Sequence, residues 1–117
     1  MKDLNEYTVE ELRELHNTAS AKAHAEASTF LKDVMDGQDR GMCGFAWVDI
    51  RDIKGNTKLG RKLKQIGLTQ DYKRCFSVWN PAQFGVQSVD VLEAGAVAYA
   101  KAWQAAGFNA IAGSRLD

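Results

Sequence analysis

The densest chemistry in the chain is cationic. Lys54, Lys58, Arg61, Lys62, Lys64, Lys73 and Arg74 fall between positions 54 and 74 with Asp71 as the one acidic residue among them, a local charge of +6. Such a concentration attracts the phosphates of a nucleotide or a nucleic acid. The same cluster also suits a solvated amphipathic helix face that keeps a small protein in solution. Tyr72 adjoins the cations, while Trp79 and Phe84 flank the pair Asn80-Pro81, so these three rings are candidates for stacking on bases. Phe45, Trp47, Phe76, Tyr99 and Trp103 stand where a core would use them, and Phe45, Phe76 and Trp103 are assigned to it. Arg115 can pair with Asp117 or reach a ligand. The candidate binding set is Lys54, Lys58, Arg61, Lys62, Tyr72, Lys73, Arg74, Trp79 and Arg115.

Catalytic chemistry has no comparable signature. Phosphate-loop, dinucleotide-glycine, zinc-protease, nucleophile-elbow and EF-hand patterns are absent from the sequence. His16 and His24 lie eight residues apart among alanines, where packing or surface roles are expected ahead of general base catalysis. Cys43 and Cys75 have no ligand-like spacing to each other or to the histidines. They are expected as buried thiols of strands in a reducing compartment, and neither a metal nor a cofactor is expected. Enzymatic function is disfavoured, and a hydrolase or transferase using Cys43 or a histidine is the form it would take. Asn80, Gln83, Gln87, Ser88 and Asp90 gather ahead of the last helix, where capping accounts for Ser88 and Asp90.

The elements that must position these residues follow from periodicity. The 117 residues are 45% apolar and 26% charged with no net charge, the composition of one globular domain. No run approaches the roughly 18 apolar residues of a membrane span, and the N-terminus lacks a signal-peptide core, so a cytoplasmic protein without a membrane partner is expected. Thr8 and Glu11 form a capping-box pattern ahead of Leu12, Leu15, Ala19, Ala23, Ala27, Phe30 and Leu31, which predicts a helix over about 9–36 that stops at Gly37. Its alanine-rich middle allows either a close approach of another backbone or a break near 17–20. The continuous run from Cys43 to Ile50 predicts a central strand covered on both faces. A short helix from Asn56 or Thr57 to about Ile66 carries the cations, and a second strand spans 72–79. Asp90 and Glu93 form a further capping pair before a helix with Leu92, Ala96, Tyr99 and Trp103 on one stripe, ended by Gly107. Phe108 to Ala112 supplies a third strand.

The resulting order is α-β-α-β-α-β within a single domain, the long helix at 9–36 preceding a core at 42–117. The fold expected is α/β or α+β, with helices packed on a small three-stranded sheet. Helical crossovers favour parallel neighbours, an antiparallel pairing of the first two strands remaining open. Exposed sheet edges make a homo-oligomer plausible. Gly44-Phe45-Ala46-Trp47-Val48, the segment from Gln87-Ser88 into Glu93-Ala94-Gly95-Ala96, and the terminal Ser114-Arg115-Leu116-Asp117 resemble small accessory proteins of tailed bacteriophages. The resemblance covers about the last three quarters of the chain and leaves out the first helix. It implies the cytoplasm of a bacterial host and a binding role in host takeover or anti-defence, without functional residues to carry over. The expected function is non-enzymatic binding of a phosphate-bearing ligand through the basic segment. The alternative is an inhibitor or adaptor of a host protein that acts through the acidic first helix, residues 1–15 of the chain carrying a charge of −3, or through a sheet edge.

Overall fold

Thr8 and Glu11 do what their spacing predicts. In the computed structural model the Thr8 N–H donates to Glu11 Oε1 at 3.0 Å and the Glu11 N–H donates to Thr8 Oγ1 at 3.1 Å, the reciprocal capping box that starts α1, Val9–Asp33. The structure describes residues 3–34, 42–70, 75–83, 85–86 and 88–116. α1 ends at Asp33 with Val34 as its C-cap, short of the expected 36, and Gly37 lies outside the described residues. After α1 come β1 (Gly44–Arg51), α2 (Lys58–Gln65), β2 (Thr69–Gln70), β3 (Phe76–Trp79), α3 (Val89–Ala105) and β4 (Asn109–Leu116). Thr57 caps α2 by accepting the Gly60 N–H at 3.1 Å. Gly67 and Gly107 follow α2 and α3 with φ of 100° and 99°, a left-handed conformation that a side chain disfavours.

The four strands form one antiparallel sheet in the order β2-β3-β1-β4. Three strands become four and the favoured parallel neighbours are corrected, the antiparallel alternative left open for the first two strands being the one found between β1 and β3. One short element is the reason. β2 has two residues, too few for a hydrophobic pattern to reveal, and its presence changes the direction of every strand that follows. The helical crossovers do join parallel strands, β1 to β2 through α2 and β3 to β4 through α3. In each case an antiparallel strand lies between the two, which is the split β-α-β connectivity of ferredoxin-like sheets.

Ala46, Val48 and Ile50 of β1, Phe76 of β3 and Ala110 of β4 are at most 1% exposed and join Leu59, Leu63, Leu92, Ala96, Tyr99 and Trp103 in one core. α1 packs along α3 through its buried Ala19, Ala23 and Ala27. The helices touch at Gly95, where a Cβ would come within 2.6 Å of Ala82 Cβ and 3.1 Å of the Ala23 carbonyl oxygen. The alanine-rich run therefore serves close approach in an unbroken helix. Three polar ties fasten it. The Tyr7 hydroxyl donates to the Ala106 carbonyl at 3.0 Å, His16 Nδ1 and the Tyr99 hydroxyl share a 2.7 Å hydrogen bond, and His24 Nδ1 donates to the Ala82 carbonyl at 3.0 Å.

Three local expectations are also corrected. Asp90 and Glu93 are not a capping pair: the N-cap is Ser88, and the Glu93 carboxylate instead accepts the Ser114 hydroxyl from β4. Cys43 is exposed and Cys75 partly so, because both precede their strands and neither faces the core. The last strand runs to Leu116, well beyond Ala112.

Two outcomes follow from the α1–α3 contact. Ala23 is fully buried, so Ala23→Leu should overpack the crossing by about 1–3 kcal/mol, read as a fall of several degrees in Tm. Burial holds the His16 pKa below its usual 6.5. Between that usual value and the lower folded one, the unfolded chain binds a proton that the folded chain refuses. Stability should therefore fall as the pH is lowered through this window and level off beneath it. In urea titrations at pH 7.5 and 5, His16→Gln should lose less stability on acidification than the wild type.

Candidate functional site

The helices cover one side of the sheet. Along β1 buried and half-buried residues alternate, so that Ala46, Val48 and Ile50 face the helices while Phe45, Trp47, Asp49 and Arg51 face the opposite way. The pairing sets their neighbours on that open face. Phe45 lies beside Arg115, Trp47 between Trp79 and Gly113, Asp49 between Ser77 and Ile111, and Arg51 beside Asn109. The face therefore changes character from an aromatic end through a polar row to a charged end.

At the aromatic end the indoles of Trp47 and Trp79 lie 3° from parallel with centroids 5.7 Å apart, and the Phe45 ring is 5.5 Å from that of Trp79. The Arg115 guanidinium carbon sits 5.5 Å from the centre of the Phe45 ring, a cation–π distance. Gly113 makes room for this arrangement, since a Cβ there would come within 2.7 Å of the Trp47 ring. Trp79 is 58% exposed. In the next row the Ser77 hydroxyl donates to Asp49 Oδ1 at 2.9 Å, and the Thr69 hydroxyl donates to the Ser77 carbonyl at 3.4 Å. At the charged end Arg51 also lines an open groove of about 940 Å³ together with Lys54, Lys64 and Gln70. Asp52 leaves β1 in the left-handed region at φ 67°, and its Oδ2 accepts from Asn109 Nδ2 at 2.8 Å, which ties the end of β1 to the start of β4.

Two residues of the predicted set, Trp79 and Arg115, meet on the aromatic end, and Lys54 lines the groove. Lys58 and Arg61 lie on the exposed side of α2, where Arg61 Nη2 donates to the Asn56 carbonyl at 3.1 Å. Lys62 acts as a tether, its Nζ donating to the Tyr7 carbonyl at 2.7 Å and the Asn5 carbonyl at 3.3 Å and so fastening the N-terminal segment to α2. Tyr72, Lys73 and Arg74 lie outside the described residues, as does Phe84. Phe76 and Trp103 are in the core as expected. Phe45 is not, which corrects its assignment: a strand covered on one face only turns every second ring outward.

Trp47, Asp49 and Arg51 are absent from the predicted set. The signal that finds them is the alternation in Phe45-Ala46-Trp47-Val48-Asp49-Ile50-Arg51, where rings and charges fall on odd positions and small or branched residues on even ones. His16 and His24 spend their Nδ1 atoms on the helix ties, and among the described residues no three His, Cys, Asp or Glu side chains come together as metal ligands. No described helix is long and apolar enough to cross a membrane. No family model matches the chain, and comparison with curated proteins and with solved structures returns no match. Function is accordingly read from the site itself.

The tether role of Lys62 is directly testable. Lys62→Met keeps the aliphatic stem and removes both charge-assisted bonds, so it should lower stability by about 1 kcal/mol in a thermal melt.

Proposed function

We propose that this chain is a non-enzymatic binding protein for single-stranded nucleic acid, stacking unpaired bases on Trp79, Trp47 and Phe45. Arg115 holds phosphate at one end of the face, and Arg51, Lys54 and Lys64 hold it at the other. The observation that carries this reading is Trp79, an indole 58% exposed and parallel to Trp47 on the sheet face turned away from the helices. A ring left in water forgoes roughly 25 cal/mol for each Å² of apolar surface it could bury, and stacking on a base recovers that burial. Every base has a π-face, whereas bases within a duplex are already stacked, so unpaired strands are favoured.

Charge supports the same ligand. Cations frame the rings on both sides, and Lys58 and Arg61 on α2 add to the attractive field. From Phe45 to Arg51 the strand advances about 20 Å, room for a few nucleotides with bases at the aromatic end and phosphates toward the groove. The tailed-phage resemblance would set this activity in the cytoplasm of a bacterial host.

A second reading rests on β4. This eight-residue strand lies at the edge of the sheet with Ile111 and Leu116 exposed, and such an edge accepts a strand from a protein partner. The two readings differ in salt response. Phosphate contacts release counterions, so four cations predict a log–log salt slope of about −3 for a single strand, while a strand-addition interface is far less sensitive.

Tryptophan fluorescence and anisotropy titrations with eight-nucleotide single-stranded DNA and RNA, duplex DNA and mononucleotides test the first reading. Saturable quenching by the single strands is expected, with weaker binding of duplex. Trp79→Ala should weaken the single-strand complex by about 1–3 kcal/mol and leave the melting temperature within a few degrees of wild type. Absence of binding to every single strand, or full affinity in Trp79→Ala, would refute it.

A further inference from the structure

We infer that the open face prefers guanine among the bases it stacks, with Asp49 reading the Watson–Crick edge; this rests on the stacking reading above. Asp49 is the carboxylate in the middle of the face, one row from the indole pair and therefore about 7 Å along the strand from it. A base stacked on Trp79 can turn its edge along the sheet toward this row. The Ser77 hydroxyl fixes the carboxylate by donating to Oδ1, and Oδ2 accepts no hydrogen bond from the described residues.

An ionised carboxylate is acceptor-only. It repels phosphate, so the nucleic-acid backbone is kept to the Arg115 and Arg51 ends and a base edge is what approaches Asp49. Guanine offers N1–H and N2–H side by side, two parallel donors matched to two carboxylate oxygens. Adenine and cytosine set one amino group beside an unprotonated ring nitrogen, whose lone pair opposes the second oxygen. Thymine and uracil hold one N–H between two carbonyls.

The experiment uses an eight-nucleotide oligo(dT) with no replacement or with one central dG, dI, dC or dA, titrated into wild type, Asp49→Asn and Trp79→Ala at physiological salt. Inosine keeps N1–H and lacks the 2-amino group. Wild type should bind the dG oligonucleotide about tenfold tighter than oligo(dT), with dI between them. Asp49→Asn, which can still accept the Ser77 bond, should bind all five within about twofold and bind oligo(dT) at least as well as wild type. Equal affinity of wild type for all five, with Trp79→Ala still weaker, would overturn the guanine preference and leave the stacking site standing. No binding by wild type would overturn both. If circular dichroism finds Asp49→Asn unfolded, the dG-to-dI ratio in wild type decides, and a ratio of one overturns the inference.

Discussion

β1 is paired along both sides, with β3 over residues 47–50 and with β4 over residues 44–51, and its register governs both the core and the site. Side chains of a strand alternate between faces, so a slip of one residue would drive Phe45, Trp47 and Asp49 into the helical layer and turn Ala46, Val48 and Ile50 out to water. The helical layer has little room for such an exchange, because α3 lies against residues as small as Ala46 and Ala110. The burial that builds the core thus also sets two indoles and a phenyl ring on the outer side of the sheet.

The helices reach that arrangement by economy of side-chain volume. α1 meets α3 through alanines and through Gly95, while His16 bonds the Tyr99 hydroxyl and Tyr7 and His24 bond the Ala106 and Ala82 carbonyls. Part of the basic segment belongs to this architecture. Lys62, Arg61 and Lys64 each donate to a backbone carbonyl, and Lys62 joins two segments far apart in sequence. A cation bonded in this way still contributes to the surface field, so structural and electrostatic roles coexist on α2.

The capping box at Thr8, the glycine ends of α2 and α3 and the buried stripe of α3 were legible in the sequence, because each is a local pattern with one physical meaning. The topology was not, because β2 is two residues long and strand direction depends on counting it. The site was legible only in part. Trp79 could be picked out by its place beside Asn80-Pro81 and Arg115 by its charge, whereas Phe45 and Trp47 have the side-chain types of a core. Type alone cannot tell which face of a strand is covered. The period-two placement of Asp49 and Arg51 in step with those rings carried that information, and it is readable once the strand is taken as half-buried.

Gly113 gives the two indoles unequal parts. With no side chain beneath it, the Trp47 ring settles onto the β4 backbone and is braced by Trp79, so it has little rotational freedom left to lose. Trp79 stands further into solvent and has more to lose when something closes over it. Immobilising a side chain opposes association by about 0.5–1.5 kcal/mol, and here that entropic burden falls mainly on one ring. On the proposed reading, Trp47 is the ring already held in place and Trp79 the ring that a bound base must still order.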